Sequence, residues 1–147
     1  MISFPDAIKR FFQRYTDFQG RSSRAEYWWV WLMNFGIMFG LGVIGAMLSL
    51  GDPEAGVPLV VMIPLSLYFL AIFVPSLALL VRRLHDIDKS GWLVLPLVLS
   101  AIPLVGFLVT IAYIVVCCLP GTPGPNRFGE APVAEPGATA EFGTSTS

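Results

Sequence analysis

The residue types best suited to chemistry are concentrated in one polar stretch, residues 82–91, which reads Arg-Arg-Leu-His-Asp-Ile-Asp-Lys-Ser-Gly. A metal site is not predicted there, because His85 is the only histidine and no further acid or thiol is spaced to complete a ligand set. A nucleophile is not predicted either, because Ser90 has no base-and-orienter pair beyond His85. We therefore expect no catalytic residue, no cofactor and no metal, and we expect that the chain is not an enzyme.

The interpretation that we favour for this stretch is a cytoplasmic loop whose charges pair with one another. Further partners precede the first long apolar stretch, at Arg21, Arg24 and Glu26. Nucleic acid is not a predicted partner, because the few basic residues flank apolar stretches. Their natural anionic neighbour is the lipid headgroup, where each Lys or Arg gains about 1 kcal/mol.

Three long apolar stretches separate the polar residues, at 27–50, 57–81 and 92–119. Hydrophobic residues make up 55% of the 147 residues and charged residues 13%, and the only acids or bases between residues 27 and 81 are Asp52 and Glu54. These stretches are apolar on every face, which is typical of helices surrounded by lipid. Each is long enough for a hydrocarbon core of about 30 Å, which needs about 20 residues. The sequence predicts an all-α membrane protein with three transmembrane segments.

The third stretch, residues 92–119, is longer than a bilayer requires. As one straight helix its 28 residues would reach about 42 Å. Pro96, Pro103 and Gly106 lie inside it, so we predict a kink or break near Pro103 and Gly106. We favour one bent crossing, because neither half reaches about 17 residues. The alternative is four short membrane helices.

An amphipathic helix is predicted at the start of the chain, over residues 3–19. Ser3 resembles a capping residue, Pro5 suits a first helical turn, and Gly20 offers a stop. One face is aromatic and apolar, and the other is basic, which is typical of a helix lying at the membrane interface. The alternative is a helix packed on the protein's own cytoplasmic loops.

The composition changes after the third apolar stretch. Cys117 and Cys118 are adjacent, which fits neither a disulfide framework nor a spaced metal site, and we expect both to be buried as small apolar residues. Beyond residue 120 the chain is rich in Pro, Gly, Thr, Ala and Glu. We predict a single membrane domain over residues 1–130 and a disordered tail over residues 131–147.

The distribution of basic residues predicts an orientation. Of nine Lys and Arg residues, five precede the first apolar stretch, three lie between the second and third, and none lies between the first and second. The positive-inside rule therefore predicts a multi-pass protein with its amino terminus in the cytoplasm. Four tryptophans should form an aromatic belt at the same interface: Trp28, Trp29, Trp31 and Trp92.

The apolar stretches contain few polar residues. Gly36 and Gly40 have the spacing that lets membrane helices approach closely, within the chain or between copies. Asn34, Ser66 and Thr110 are expected to hydrogen-bond to a neighbouring helix. A transport pathway would be expected to show an acid, a base or a polar cluster at membrane depth, and the stretches contain none.

Three polar stretches, residues 18–29, 82–92 and 120–129, resemble in this order the signature stretches of the domain of unknown function 805 family. This resemblance covers residues 5–130. It implies a bacterial inner-membrane location and several spans, and it supplies no catalytic residues to carry over. It draws attention to the following signature positions: Gly20, Arg21, Arg24, Glu26, Arg82, Arg83, His85, Asp86, Gly91, Trp92, Asn126, Arg127 and Gly129.

These observations define a candidate polar cluster at the membrane surface, in which Glu26 and Asp86 pair with arginines. If the third stretch bends back, the third signature stretch joins the cluster; if it crosses once, Arg127 lies on the opposite face. The candidate residues are Arg21, Arg24, Glu26, Arg82, Arg83, His85, Asp86, Asp88, Asn126 and Arg127.

The favoured hypothesis is an inner-membrane protein without enzymatic activity, whose cytoplasmic cluster binds a partner protein or anionic lipid. Its other expected contacts are the lipid bilayer and, as an alternative to a partner, further copies of the chain. The second hypothesis is a small oligomeric transporter or channel component, because prolines interrupt the apolar stretches. The third is a membrane enzyme that uses His85 and Asp86 on a lipid substrate.

Overall fold

The computed structural model describes residues 2–50 and 56–132, and this part of the chain is all-helical. Its elements are α1 (Phe4–Gln13), α2 (Arg24–Ser49), α3 (Leu59–Asp86), a 3₁₀ helix (Gly91–Ala101) and α4 (Pro103–Cys118). The acidic loop that contains Asp52 and Glu54 lies outside the described residues, as does the predicted disordered tail beyond residue 132.

Helices α2 and α3 form the long part of the molecule. With 26 and 28 residues they are long and apolar enough to cross a membrane. Their outer surfaces carry large apolar side chains, such as Phe39 and Leu70, which are 64% and 71% exposed. The largest fully buried side chains are instead Arg82 and Arg83. Apolar exteriors suit lipid rather than water, so the prediction of an all-α membrane protein is confirmed.

Two of the polar residues predicted at membrane depth, Asn34 and Thr110, form hydrogen bonds inside the protein. The Tyr68 hydroxyl on α3 donates to the side-chain carbonyl of Asn34 on α2 at 2.6 Å, which confirms the predicted bond between helices. Thr110 differs from the prediction, because its hydroxyl donates to the Gly106 carbonyl of its own helix at 2.8 Å. This bond satisfies the hydroxyl locally, so no neighbouring helix is needed.

Helix α1 is shorter than predicted and packs on the long helices. Its cap is the predicted one, since the Ser3 hydroxyl accepts from the Asp6 amide at 3.3 Å. The helix ends at Gln13 rather than at residue 19. Phe11 is fully buried against α2 and α3, whereas Phe12 stays 51% exposed. One side of α1 therefore holds it to the bundle, and the other side exposes aromatic rings, so its position at the membrane interface stays a prediction.

The third apolar stretch is broken in the predicted place. Ile102 is extended, as expected for a residue before proline, and Pro103 begins α4. The two halves then pack side by side: a Cβ on Gly106 would lie 2.9 Å from the Ser100 Cα, and the Tyr113 hydroxyl donates to the Leu93 carbonyl. The 3₁₀ helix and α4 thus form a hairpin.

Both ends of this hairpin lie at the carboxyl end of α3, which corrects the favoured single bent crossing. Gly91 is close to Val81 and His85, and the Cys117 carbonyl accepts from Arg83 at 3.2 Å. At about 2.0 and 1.5 Å per residue, the 11-residue and 16-residue helices reach only about 22 and 24 Å. Two short helices that fold back match the close packing at Gly106 better than one long crossing does.

Two further expectations are corrected. Cys117 is buried, but Cys118 is exposed. Successive side chains of a helix point in different directions, so α4 directs Cys117 toward the protein and Cys118 away from it. A Cβ added at Gly36 or Gly40 would meet nothing within 4 Å, so these glycines do not pack against another described helix of the same chain. Their use between copies stays a prediction.

Candidate functional site

The candidate polar cluster lies around the carboxyl end of α3. Residues 20–26 approach it from the start of α2, and residues 117–129 approach it from the end of α4. It holds three buried arginines, each on its own set of acceptors. Removing a guanidinium from water is costly, so charges this deeply buried need hydrogen-bond partners. Among the described buried side-chain atoms, Arg82 Nη2 alone has none, and its nearest carboxylate oxygen is that of Glu26 at 3.9 Å.

Arg21 joins the first and third signature stretches to the second. Its guanidinium pairs with Asp86, with Nη2 2.9 Å from Oδ1, and its side chain is 1% exposed. It also donates to the carbonyls of Thr122 and Gly124, each at 2.6 Å. One side chain therefore fixes three segments that are far apart in sequence.

Arg83 connects α3 to the end of the hairpin. Its guanidinium donates to the other Asp86 oxygen, and to the carbonyls of Cys117 and Leu119. These carbonyls lie at the carboxyl end of α4, where no following helical amide is present to donate a hydrogen bond to them. Asp86 thus lies between two buried arginines, and its backbone carbonyl accepts from the Thr122 amide at 2.8 Å.

Arg82 lies on the side of the cluster that faces α1 and the start of α2. Its Nε donates to the Ser22 hydroxyl at 3.0 Å, and Ser22 donates in turn to Glu26 at 3.2 Å. The Arg82 and Glu26 side chains lie 3.9 Å apart as a buried ion pair. Arg82 also donates to the carbonyls of Arg14 and Asp17, which follow the end of α1, and so fixes this turn against α3.

His85 contributes the flat face of its imidazole ring to the cluster. Its ring stacks on Phe128 with centroids 3.9 Å apart and planes 4° apart. The Nδ1 atom of its ring lies 3.2 Å from the Gly20 carbonyl. Its backbone carbonyl accepts a hydrogen bond from the side-chain amide of Asn126 at 2.9 Å. The third signature stretch is therefore held against α3 by stacking as well as by hydrogen bonds.

The outer edge of the cluster is exposed. Arg127 pairs with Asp88 at 3.1 Å, and their side chains are 60% and 47% exposed. The Arg127 guanidinium also lies 4.7 Å from the centre of the Phe128 ring.

A second exposed pair lies beside α1, between Arg14 and Asp17. Partial burial raises the pKa of the Asp17 carboxyl, but hydrogen bonds from the Gln19 backbone amide and from Arg14 outweigh this effect, so the Asp17 pKa is lowered. Such exposed pairs contribute less to stability than the buried ones.

A cleft of about 810 Å³ opens beside the network, between the start of α1, the start of α2 and residues 121–124. Arg10 and Arg24 line it together with Trp28, and Arg21 and Asp86 form part of its wall. Arg24 thus lies outside the buried network, as do Asp88 and Arg127 at its exposed outer edge.

Comparisons with known proteins identify the family of the chain. Residues 15–130 match the sequence model of the family described as "Protein of unknown function (DUF805)". The chain belongs to the DUF805 family. It is 40% identical over 124 residues to "Inner membrane protein YhaH" of Escherichia coli (strain K12), an alignment covering 84% of this chain and 93% of that one.

A second relative supports the same environment. The DUF805 chain is 38% identical over 121 residues to "Inner membrane protein YhaI" of Escherichia coli (strain K12), covering 82% of this chain and 89% of that one. No solved structure matches the chain. With inner-membrane relatives and lipid-suited helices, the surroundings of this DUF805 protein are a lipid bilayer.

Several residues of the network escaped the sequence reasoning. Ser22 relays between Arg82 and Glu26, Thr122 holds the Asp86 carbonyl, and Phe128 stacks on His85. All three lie inside the DUF805 signature stretches. The resemblance therefore identified the segments that form the network, but not which of their side chains contact one another. Within residues 2–50 and 56–132, no three His, Cys, Asp or Glu side chains are placed to hold a metal ion.

Gly121 of this DUF805 chain packs directly against the Asp86 carboxylate. A Cβ there would collide with that carboxylate and lie 2.7 Å from its Cγ. We expect Gly121→Ala to lower the free energy of unfolding by about 1–3 kcal/mol, because two arginines prevent the carboxylate from moving away. Tryptophan-monitored denaturation in detergent would measure this.

Gly40→Ala is the matched control, because it adds the same methyl group into open space. Equal stabilities for the two variants would contradict the close contact.

Proposed function

We propose that the chain is a bacterial inner-membrane protein without enzymatic activity that binds anionic phospholipid at its cytoplasmic face. The observation that carries this proposal is the contrast between two sets of its cations. Arg21, Arg82 and Arg83 are buried on internal acceptors. The cations with no carboxylate partner among the described residues lie toward solvent: Lys9, Arg10, Arg24 and Lys89.

The second set belongs to the basic segments from which the positive-inside rule predicts a cytoplasmic face. Cations beside an anionic leaflet gain about 1 kcal/mol each, so four of them favour anionic over zwitterionic lipid. Their freedom from internal pairs supports this use, since neutralised cations would gain much less.

The absence of enzymatic activity is supported by how the two best candidate groups are held. Asp86 is fixed between two arginines, and His85 faces a backbone carbonyl while its ring lies flat on Phe128. A general acid or base must reach a substrate proton, and these contacts occupy the groups from several sides.

The test uses the protein's own tryptophans in vesicles. At equal mole fraction, brominated phosphatidylglycerol is expected to quench them more strongly than brominated phosphatidylcholine. Replacing the four unpaired cations by glutamine should abolish the difference. Equal quenching of the parent protein by both lipids would contradict lipid binding. Loss of a stoichiometric protein partner from the variant, with the lipid preference unchanged, would favour protein binding instead.

A small transporter or channel component is the second candidate. It is supported by the hairpin, because transporters place short, proline-interrupted helices at their binding sites, as at Pro96 and Pro103. Solute flux into proteoliposomes separates the candidates, since a lipid-binding protein should show none above that of empty vesicles.

A further inference from the structure

The cleft between α1, α2 and residues 121–124 has the size and charge of a discrete ligand site. Its volume of about 810 Å³ falls within the range typical of small-molecule sites, about 300–1,000 Å³. Its lining comes from the start of α1, from residues 21–28, from residues 121–124 and from residues 131–132, together with Asp86 and Cys118. A ligand there would therefore meet groups from several segments rather than one exposed helix face.

The charge in the cleft is unevenly balanced. Of its two carboxylates, Asp86 is neutralised by Arg21 and Arg83. Asp6 accepts a hydrogen bond from the capping Ser3 hydroxyl but keeps its negative charge, which offsets one of the two cations that remain. Arg10 and Arg24 form no ion pair with any described residue. Two guanidinium groups are therefore available to an anion in the cleft.

Guanidinium groups favour a phosphate ester in particular, because their planar forks can bind its oxygens in pairs. The position of the cleft favours a lipid as the source of that phosphate. Trp28 lines the cleft just where α2 enters its uncharged stretch, as expected at the headgroup level of a bilayer. Basic pockets between membrane helices are known sites for lipid headgroups.

We infer that this cleft is a phospholipid headgroup site in which Arg10 and Arg24 bind the phosphate. The inference rests on the proposed function and deepens it: one lipid is bound in a defined place, in addition to the general attraction of the basic face. The two arginines come from different helices, so a bound headgroup would also join α1 to α2.

The test compares two variants of equal net charge. Arg10→Gln with Arg24→Gln removes the cleft cations, and Lys9→Gln with Lys89→Gln removes two exposed cations that do not line the cleft. Phosphatidylglycerol binding to the detergent-solubilised protein is followed by native mass spectrometry. We expect the arginine pair to weaken the first binding step about thirtyfold, or about fivefold per cation, and the lysine pair to weaken it less than about threefold.

The outcomes separate this site from the general proposal. Equal losses in both variants would overturn the site while leaving the preference for anionic lipid intact. No preference for phosphatidylglycerol over phosphatidylcholine in the parent protein would overturn both. Displacement of the lipid by inorganic phosphate at comparable concentration would overturn the lipid as the source. Arg24→Gln alone, at an exposed position without internal bonds, should still show about a fivefold loss if the double variant misfolds.

Discussion

Replacing Asp86 by asparagine is expected to lower the free energy of unfolding by about 3–5 kcal/mol, the largest effect of any single change considered for this protein. The carboxylate is the acidic partner of two buried guanidinium groups, Arg21 and Arg83. An amide of the same size would leave both charges uncompensated; its carbonyl oxygen could still accept from one arginine, but its NH2 group would face the donor of the other. Denaturant titration in detergent, followed by tryptophan fluorescence, measures the loss.

Asp88→Asn is the matched control. It makes the same chemical change two residues later, on an exposed side chain that pairs with an exposed arginine. Asp88 has a φ of 57°, a left-handed conformation that asparagine also tolerates. We expect a change of less than about 1 kcal/mol. Similar losses for both variants would show that Asp86 is not the centre of the network.

Gly106→Ala is expected to separate the two arms of the hairpin. The added Cβ would collide with the Ser100 carbonyl and lie 2.9 Å from its Cα, and backbone atoms cannot move away as a flexible side chain can. We expect a loss of about 2–3 kcal/mol, at the upper end of what overpacking costs. Thermal unfolding in detergent measures the loss, and cysteine crosslinking between the arms would report their separation.

The control for this variant is Gly36→Ala in α2. Its added methyl group meets nothing within 4 Å, and alanine favours a helix over glycine by about 1 kcal/mol, so this variant should be at least as stable as the parent. If Gly106→Ala proves as stable as Gly36→Ala, the arms are not packed as the structure shows.

The long helices could be predicted from the sequence because their cause is local. An uncharged stretch in lipid satisfies its backbone groups only as a helix, so residues 27–50 and 57–81 required no knowledge of the rest of the chain. Capping at Ser3 and the break before Pro103 are equally local, since each depends on neighbouring backbone atoms.

The path of the chain after that break depends on distant contacts. A count of apolar residues favours one crossing, whereas the return is stabilised by Gly106 against Ser100 and by Arg83 on the Cys117 carbonyl. Neither contact can be predicted from the spacing of residues in the sequence. The turn that follows α1 also depends on a distant contact, because Arg82, far along the chain, donates to the carbonyls of Arg14 and Asp17.

Within the cluster, sequence reasoning paired Glu26 and Asp86 with arginines, and the structure shows both as ion pairs. It did not distinguish Arg24, which lies at the cleft, from Arg21, which is buried three residues earlier. Both are basic residues beside the same helix start, so only the path of the backbone decides which side chain faces the core.

The contacts of Arg21 also impose an order on biogenesis. Its guanidinium donates to carbonyls that follow it by 101 and 103 residues. During synthesis, the first two long helices therefore emerge before these acceptors exist, and water must hydrate the guanidinium until they arrive. A nascent chain stopped before Thr122 would lack both acceptors, and its Arg21 guanidinium would stay partly hydrated at the base of the helices.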